Sequence, residues 1–100
     1  MTERRDDLVD NAYEPPEGDL EKLIATVQTE VLDLDLVGRA DNYFDLGGTS
    51  LQAVRICTRL HRQTGYKVIP VWLTEHAVLS EFAGRISAEA GLISSEGCLK

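Results

Sequence analysis

Cysteine, proline and basic residues are scarce in this chain of 100 residues, and each shortage excludes a class of protein or site. The two cysteines, Cys57 and Cys98, form no Cys-x-x-Cys pair, so the sequence indicates neither a zinc site nor a disulfide. The aspartates between residues 33 and 45 also lack the spacing of a calcium loop. Three prolines beside 43% hydrophobic residues exclude a wholly disordered chain. Ten basic against seventeen acidic residues give a net charge of −7, which argues against binding to nucleic acid or an anionic membrane.

Long apolar runs are missing as well. The first ten residues are charged and contain no apolar signal-peptide core, and no segment is long enough to span a membrane. We therefore expect a cytoplasmic protein, and a monomer. A chain of this length predicts a single domain with a modest core.

Helical spacing of the apolar residues predicts an all-α fold, a small bundle of three main helices and one short helix. The predicted helices are residues 18–32, 50–64, 70–75 and 78–90. We expect three parts: a disordered N-terminal tail over residues 1–17, a helical domain over residues 18–90 and a flexible C-terminal tail over residues 91–100.

The connection between the first two main helices is long for so small a domain. Such loops are usually functional or are held down by their own apolar side chains. We expect Val37, Phe44 and Leu46 to hold this one, and Asp41 with Asn42 to cap a short turn inside it.

Two glycines and a serine stand where this loop meets the second helix. Gly47 and Gly48 lack a Cβ, so the backbone there can take positive φ and another molecule can approach closely. Ser50 opens the helix, where free N–H groups and the positive end of the helix dipole suit a phosphate. Thr49 competes with Ser50 for the N-cap position. Ser50 is therefore a cap, a nucleophile or an attachment point.

A small serine hydrolase is one interpretation of Ser50. A nucleophile elbow would need a glycine where Gln52 stands. His61 lies about three turns along the same helix and is out of reach, while His76 would still need an orienting acid and an oxyanion hole. The glycines are not followed by the lysine of a nucleotide-binding loop. A helical interaction module with Ser50 as a cap is the plain alternative.

The second helix has a basic face although the chain as a whole is acidic. Arg55, Arg59 and Arg62 lie opposite the predicted buried stripe, and the helix contains no acidic residue. This face is either a docking surface or an ordinary solvated surface. Leu51 falls beside the arginines and either packs on the loop or is an exposed contact for a partner.

The run Asp41-Asn42-Tyr43-Phe44-Asp45-Leu46-Gly47-Gly48-Thr49-Ser50-Leu51 resembles the phosphopantetheine attachment signature of carrier proteins. Its form is typical of the peptidyl carrier proteins, or thiolation domains, of nonribosomal peptide synthetases. The family pattern is roughly D-x-F-F-x-L-G-G-x-S-L, with Tyr43 replacing one aromatic residue. The resemblance covers about residues 17–90. Thr49 before Ser50, together with the basic helix, favours the peptidyl type over the fatty-acid type.

This resemblance implies a non-catalytic carrier that is the substrate of a phosphopantetheinyl transferase. Ser50 would be esterified by 4′-phosphopantetheine from coenzyme A, and the thiol of that arm would carry aminoacyl or acyl thioesters. The implied partners are an adenylation enzyme and condensation, tailoring or thioesterase enzymes of antibiotic or other secondary metabolism. The implied supporting loop is Asp45, Leu46, Gly47, Gly48 and Thr49.

The resemblance also implies a surface that partners contact, and it draws attention to the start of the last helix, where this chain differs from the family. The family usually begins its last helix after Pro-Thr, which this chain lacks, so we expect a less firm start there. Length and tails favour a stand-alone carrier, and an acyl carrier of a polyketide pathway is the alternative within the class. The implied partner contacts are Leu51, Val54, Val71, Trp72 and Leu73, with Arg55 added because of its charge.

Overall fold

The computed structural model describes residues 3–90, and this part of the chain forms an all-α bundle. Its elements are a 3-10 helix Arg5–Asp7 and the α-helices α1 Gly18–Leu32, α2 Ser50–Thr64, α3 Pro70–Glu75 and α4 Leu79–Ala90. The predicted four helices are confirmed, and α4 begins one residue later than expected. None of these helices combines the length and the hydropathy needed to cross a bilayer. The predicted tail over residues 91–100, with Cys98, lies outside the described residues.

The core lies where the apolar stripes of the helices meet. Helix α1 packs against both α2 and α4, and the short α3 packs against α2 and α4 as well. Each fully buried aliphatic or aromatic side chain stabilises the fold by about 1.5–3 kcal/mol relative to an exposed one. The main-helix side chains in this core are Ile24, Ala25, Val27, Ala53, Ile56, Cys57, Leu60, Leu79, Phe82, Ala83 and Ile86.

Helix α3 directs two large side chains into the core. Trp72 and Leu73 are 4% and 0% exposed, whereas Val71 is 50% exposed. The guanidinium of Arg85 lies over the Trp72 ring, with Cζ 4.9 Å from the ring centroid. The structure therefore corrects the prediction that Trp72 and Leu73 contact partners: a six-residue helix with two buried side chains uses them to close the core.

The start of α4 is firmer than the missing Pro-Thr predicts. The backbone N–H groups of Leu79 and Ser80 donate to the carbonyls of Asp41 at 3.2 Å and Arg39 at 3.0 Å. Both carbonyls belong to the long first loop. The loop thus supplies acceptors for donors that the start of a helix leaves unpaired.

The structure also differs from the prediction of a disordered tail over residues 1–17. Residues 3–17 run along the first loop, where the Arg39 N–H donates to the Glu14 carbonyl at 2.8 Å. The Arg5 side chain is only 1% exposed and is paired with Asp41. Arg5, which looks solvated in the sequence, is here held by a carboxylate 36 residues along the chain.

Candidate functional site

Ser50 is exposed and is the first residue of α2. The N-cap is Thr49, whose Oγ1 accepts a hydrogen bond from the Gln52 N–H at 3.2 Å. In return the Gln52 Oε1 accepts from the Thr49 N–H at 3.1 Å, which completes a capping box. Thr49 therefore takes the capping role for which it competed with Ser50. No hydrogen bond within residues 3–90 engages the Ser50 hydroxyl.

Tyr43 shapes the turn that precedes Ser50. Its ring is fully buried against Gly48, where an added Cβ would lie 2.3–2.5 Å from the ring carbons. Its hydroxyl donates to the Thr49 carbonyl at 2.6 Å. Burial raises the pKa of Tyr43 to about 12, so this donor stays protonated at neutral pH. Gly48 is thus needed because the Tyr43 ring occupies the space of a side chain. Gly47 is needed because its φ of +89° is a conformation that residues with a side chain rarely adopt.

Of the two neighbouring aromatic residues, Tyr43 is buried and Phe44, the expected anchor, is not. Val37 and Leu46 are buried as predicted, but Phe44 is 44% exposed and Tyr43 is buried instead. The two rings meet edge to face, with centroids 5.3 Å apart. The prediction that Phe44 holds the loop is therefore wrong. Only the tyrosine has a hydroxyl that can bond the backbone next to Ser50.

Asn42 caps the turn between these aromatics and the glycines. Its Oδ1 accepts hydrogen bonds from the Phe44 N–H at 2.8 Å and the Asp45 N–H at 3.2 Å. This confirms the predicted cap for Asn42. The side chain of Asp41 bonds elsewhere, to Arg5.

The Asp41 carboxylate joins the loop to the N-terminal residues. It accepts from Arg5 Nε at 2.5 Å and Nη2 at 2.8 Å, from the Gly38 N–H at 2.8 Å and from Asn11 Nδ2 at 2.8 Å. Burial favours a higher pKa for Asp41, but the hydrogen bonds from Arg5, Gly38 and Asn11 outweigh burial and leave that pKa lowered. Asp41 is therefore ionised at neutral pH and fully engaged in holding the loop.

Three large apolar side chains of α2 and α3, here called the apolar patch, are exposed. Leu51, Val54 and Val71 are 64%, 48% and 50% exposed. Leu51 is therefore not packed on the loop, which leaves the interpretation of an exposed contact. Leu51 and Val54 lie three residues apart on one face of α2, and adjoining exposed apolar side chains are a feature of interaction sites.

The basic face of α2 is partly neutralised within the fold. Arg59 forms an ion pair with Glu30 of α1. Arg55 and Arg62 are exposed, and neither has an ion-pair partner within residues 3–90. Arg55 thus adds an unpaired positive charge beside Leu51 and Val54.

The two histidines are candidate bases, and neither is joined to Ser50 within residues 3–90. Nδ1 of His61 lies 2.9 Å from the Tyr66 carbonyl oxygen, and the backbone N–H of His76 donates to the Trp72 carbonyl at 2.8 Å. Neither histidine hydrogen-bonds to Ser50 in the described part of the chain. Burial raises the pKa of the Cys57 thiol to about 12, which makes it unreactive at neutral pH. The described residues contain no cluster of His, Cys, Asp and Glu suited to a metal ion.

Comparison with known proteins points to one family. The family model described as "Phosphopantetheine attachment site" matches residues 21–86. Malpinin synthetase of Mortierella alpina is 39% identical over 90 residues, a match that covers 90% of this chain but 1% of the synthetase. The chain thus spans a very small part of that relative.

Two solved structures are similar to the fold described above. One is a nonribosomal PCP domain, 31% identical with a TM-score of 0.65, covering 71% of this chain and 91% of that one. The other is the extended docking domain complex PaxA T1-CDD/PaxB NDD of the Pax NRPS, 25% identical with a TM-score of 0.77, covering 91% of this chain and 88% of that one.

Proposed function

We propose that this chain, which belongs to the phosphopantetheine attachment site family, is a peptidyl carrier protein that bears 4′-phosphopantetheine on Ser50. The observation that carries the assignment to Ser50 is an exposed hydroxyl at the first position of α2, freed from capping because Thr49 forms the capping box. The similarity to a nonribosomal PCP domain supports the peptidyl type.

The residues around Ser50 fit a phosphodiester. The N-terminus of α2 carries the positive end of the helix dipole, and the first turn contains no acidic residue that would repel a phosphate. Tyr43 and Gly48 fix the backbone that presents the serine. When bound, the group supplies a flexible arm whose terminal thiol holds aminoacyl or acyl groups as thioesters.

Ser50 is an acceptor in this reaction and not a catalyst. Its Oγ forms a new bond to the phosphorus that bears the pantetheine, the P–O bond of the pyrophosphate in coenzyme A breaks, and adenosine 3′,5′-bisphosphate leaves. Since neither histidine hydrogen-bonds to Ser50, we assign the base that takes the serine proton to the phosphopantetheinyl transferase. The chain is therefore a non-catalytic substrate of that enzyme, and we place both in the cytoplasm.

The surface that partners meet is the apolar patch with its neighbouring arginine. Leu51, Val54 and Val71 offer contact area around Ser50, and Arg55 favours partners with acidic groups at the same place. Trp72 and Leu73 act only indirectly, by holding α3. The partners are the transferase with coenzyme A, an adenylation enzyme, and condensation, tailoring or thioesterase enzymes of a peptide-forming pathway.

The test is the intact mass of the protein after incubation with coenzyme A and a promiscuous phosphopantetheinyl transferase. The wild-type chain should gain one phosphopantetheinyl unit, and Ser50→Ala should gain none. Ser80→Ala is the matched control, because Ser80 also lies in the first turn of a helix, and it should gain the unit normally. An unchanged wild-type mass, with a transferase proven active on another carrier, contradicts the proposal. Ester hydrolysis that is lost in Ser50→Ala would favour the hydrolase instead.

A further inference from the structure

Residues 3–14, here called the strap, lie outside the matched family region but run beside the loop that leads to Ser50. At one end the Asp35 N–H donates to the Glu3 carbonyl at 2.9 Å. At the other end the Arg39 N–H donates to the Glu14 carbonyl at 2.8 Å. Backbone contacts at both ends define the path of the strap.

Between these ends Arg5 enters the fold. Its side chain is 1% exposed, and two of its nitrogens bond both Asp41 carboxylate oxygens at 2.5 and 2.8 Å. Nη2 also donates to the Asn11 carbonyl at 2.8 Å, and Cζ lies 5.5 Å from the centroid of the Tyr13 ring. A two-point pair of this kind is both strong and directional. Because a buried guanidinium without such partners would be costly, these contacts and the buried position depend on each other.

Gly38 shows independently that the loop is fitted to the strap. A Cβ at this position would lie 2.7 Å from the Glu14 carbonyl oxygen, closer than real Cβ atoms come to such a neighbour. The Gly38 N–H also donates to Asp41 Oδ2 at 2.8 Å. Only a residue without a side chain allows the strap to lie this close.

A short series of contacts connects Asp41 with Ser50. The Asp41 carbonyl accepts from the Leu79 N–H of α4 at 3.2 Å. Two residues later, Tyr43 donates its hydroxyl to the carbonyl of Thr49 at 2.6 Å. Thr49 directly precedes Ser50, so the part of the loop that Arg5 holds also sets the position of the serine.

We propose that the strap is part of the carrier site, and that Arg5, acting through Asp41, is a positioning residue for Ser50. The effect of Arg5 on modification rests on the proposed function of Ser50, whereas its effect on loop order does not. If the strap detaches in some of the molecules, only those with a docked strap present Ser50 correctly. The apparent affinity for the transferase is then the intrinsic affinity multiplied by the docked fraction, while turnover of the bound complex is unchanged.

Amide hydrogen exchange tests loop order directly. Arg5→Met removes the charged group, and Arg4→Met is the matched control because Arg4 is the exposed neighbour of the same charge. We expect amides of residues 33–49 to exchange about tenfold faster or more in Arg5→Met, because the undocked fraction of the strap rises. Amides in the core of α2 should stay far better protected than the loop amides, since they exchange only when the whole fold opens, and Arg4→Met should match the wild type. Loss of protection in the core of α2 to the level of the loop, or no acceleration in the loop, overturns the proposal.

Gly38→Ala displaces the strap without altering any charge. Its Cβ clashes with the Glu14 carbonyl, so the same loop amides should exchange faster. Gly84→Ala is the control, because an added Cβ there meets nothing within 4 Å. Loop exchange in Gly38→Ala that equals the wild type overturns the proposal.

The modification reaction supplies the second readout. For Arg5→Met the KM of the carrier for the transferase should rise by the inverse of the docked fraction, about tenfold for a strap docked in one tenth of the molecules, with kcat unchanged. Arg5→Lys, which keeps the charge but not the two-point geometry, should recover part of the loss. A lower kcat with an unchanged KM overturns the positioning role. A wild-type chain that is never modified refutes the function proposed for Ser50, and exchange then decides the role of the strap alone.

Discussion

The chain is built differently on the two sides of Ser50. Before the serine, Asp41, Asn42, Tyr43 and Thr49 all use their side chains in hydrogen bonds within the fold. After it, α2 and α3 leave large apolar side chains in solvent: Leu51, Val54 and Val71. The difference shows that the fold fixes the backbone of Ser50 while the adjoining surface stays available to another molecule.

This contrast separates two kinds of substitution. Changes to the hydrogen-bonded side chains before Ser50 should lower the free energy of unfolding, because they remove packing or buried hydrogen bonds. Changes to the exposed apolar side chains after it should leave stability alone and alter only the binding of partners.

Gly48→Ala should cause the greatest loss on the side before Ser50. The new Cβ would lie 2.3–2.5 Å from the fully buried ring of Tyr43, so the ring or the backbone must move. We expect a loss of about 3 kcal/mol, the upper end of the usual cost of overpacking, measured by urea denaturation. Gly84→Ala, in open space within α4, should instead stabilise by about 0.5–1 kcal/mol. If Gly48→Ala unfolds at the wild-type urea concentration, Tyr43 does not hold this turn.

Arg5→Met should come next, with a loss of about 2 kcal/mol. Breaking a pair that stays buried costs about 3–5 kcal/mol, but a detached strap returns Asp41 to water and reduces the penalty. Arg4→Met should stay within about 0.5 kcal/mol of the wild type in the same urea titration. Similar losses in the two variants would show that only net charge matters here.

Acid should loosen the same contact without any substitution. The pKa of Asp41 is lowered in the fold, because hydrogen bonds from Arg5, Gly38 and Asn11 outweigh the effect of burial. Its contribution to stability is therefore complete above the ordinary aspartate pKa of 3.8 and is lost as the pH falls below that value. Arg5 keeps its charge throughout, since its hydrogen bond to Asp41 helps to raise its pKa further.

Urea midpoints measured between about pH 2 and pH 7 check this expectation. The wild type should lose stability steeply below about pH 4, and Arg5→Met should lose less over the same range. Glu21, whose pKa is lowered mainly by its hydrogen bond from Arg39, should contribute equally in both proteins. Parallel curves for the two proteins would contradict a pH effect through Asp41.

Substitutions of the neighbouring aromatic residues Tyr43 and Phe44 should differ in their effect on stability, by less than the changes above. Tyr43→Phe removes the hydrogen bond to the Thr49 carbonyl and should cost about 1 kcal/mol. Phe44→Leu, on a side chain that is 44% exposed, should stay within about 0.5 kcal/mol. Thermal denaturation of both variants compares them, and a larger loss for Phe44→Leu would reverse the assigned roles.

The exposed patch after Ser50 should show the smallest effect on stability. Leu51→Ser and Val54→Ser should each change the free energy of unfolding by less than about 0.5 kcal/mol. Each should raise the KM of the carrier for the transferase, because apolar contact area is lost. Steady-state kinetics separate the two effects, and a variant that loses stability at unchanged KM would place its side chain in the fold instead.

The helices and the position of Ser50 could be predicted because their signals are local. Apolar spacing set the bounds of α1 and α2, and Gly65 marked the end of α2, where its φ is +77°. The sequence offered Thr49 and Ser50 equally as caps. The Gln52 amide decides between them, a capping-box signal that was present three residues after Thr49.

The features that the sequence did not predict depend on distant contacts. Arg5 and Asp41 are 36 residues apart, so a charged N-terminal segment looked solvated. Tyr43 and Phe44 are neighbouring aromatic residues, and apolar character alone favoured Phe44 as the anchor of the loop. The hydroxyl of Tyr43, which bonds the Thr49 carbonyl, was the feature that distinguishes the two. Trp72 gave a usable signal, because so large an apolar side chain in a short helix is more often buried than exposed.

The central claim is that Ser50 carries the phosphopantetheine arm. Fragmentation mass spectrometry of peptides from the chain, after incubation with coenzyme A and a transferase, tests it most directly. We predict that the added group lies on Ser50 in every modified molecule. The same group on Thr49 or on another serine, or no group with a transferase active on a control carrier, would contradict the account.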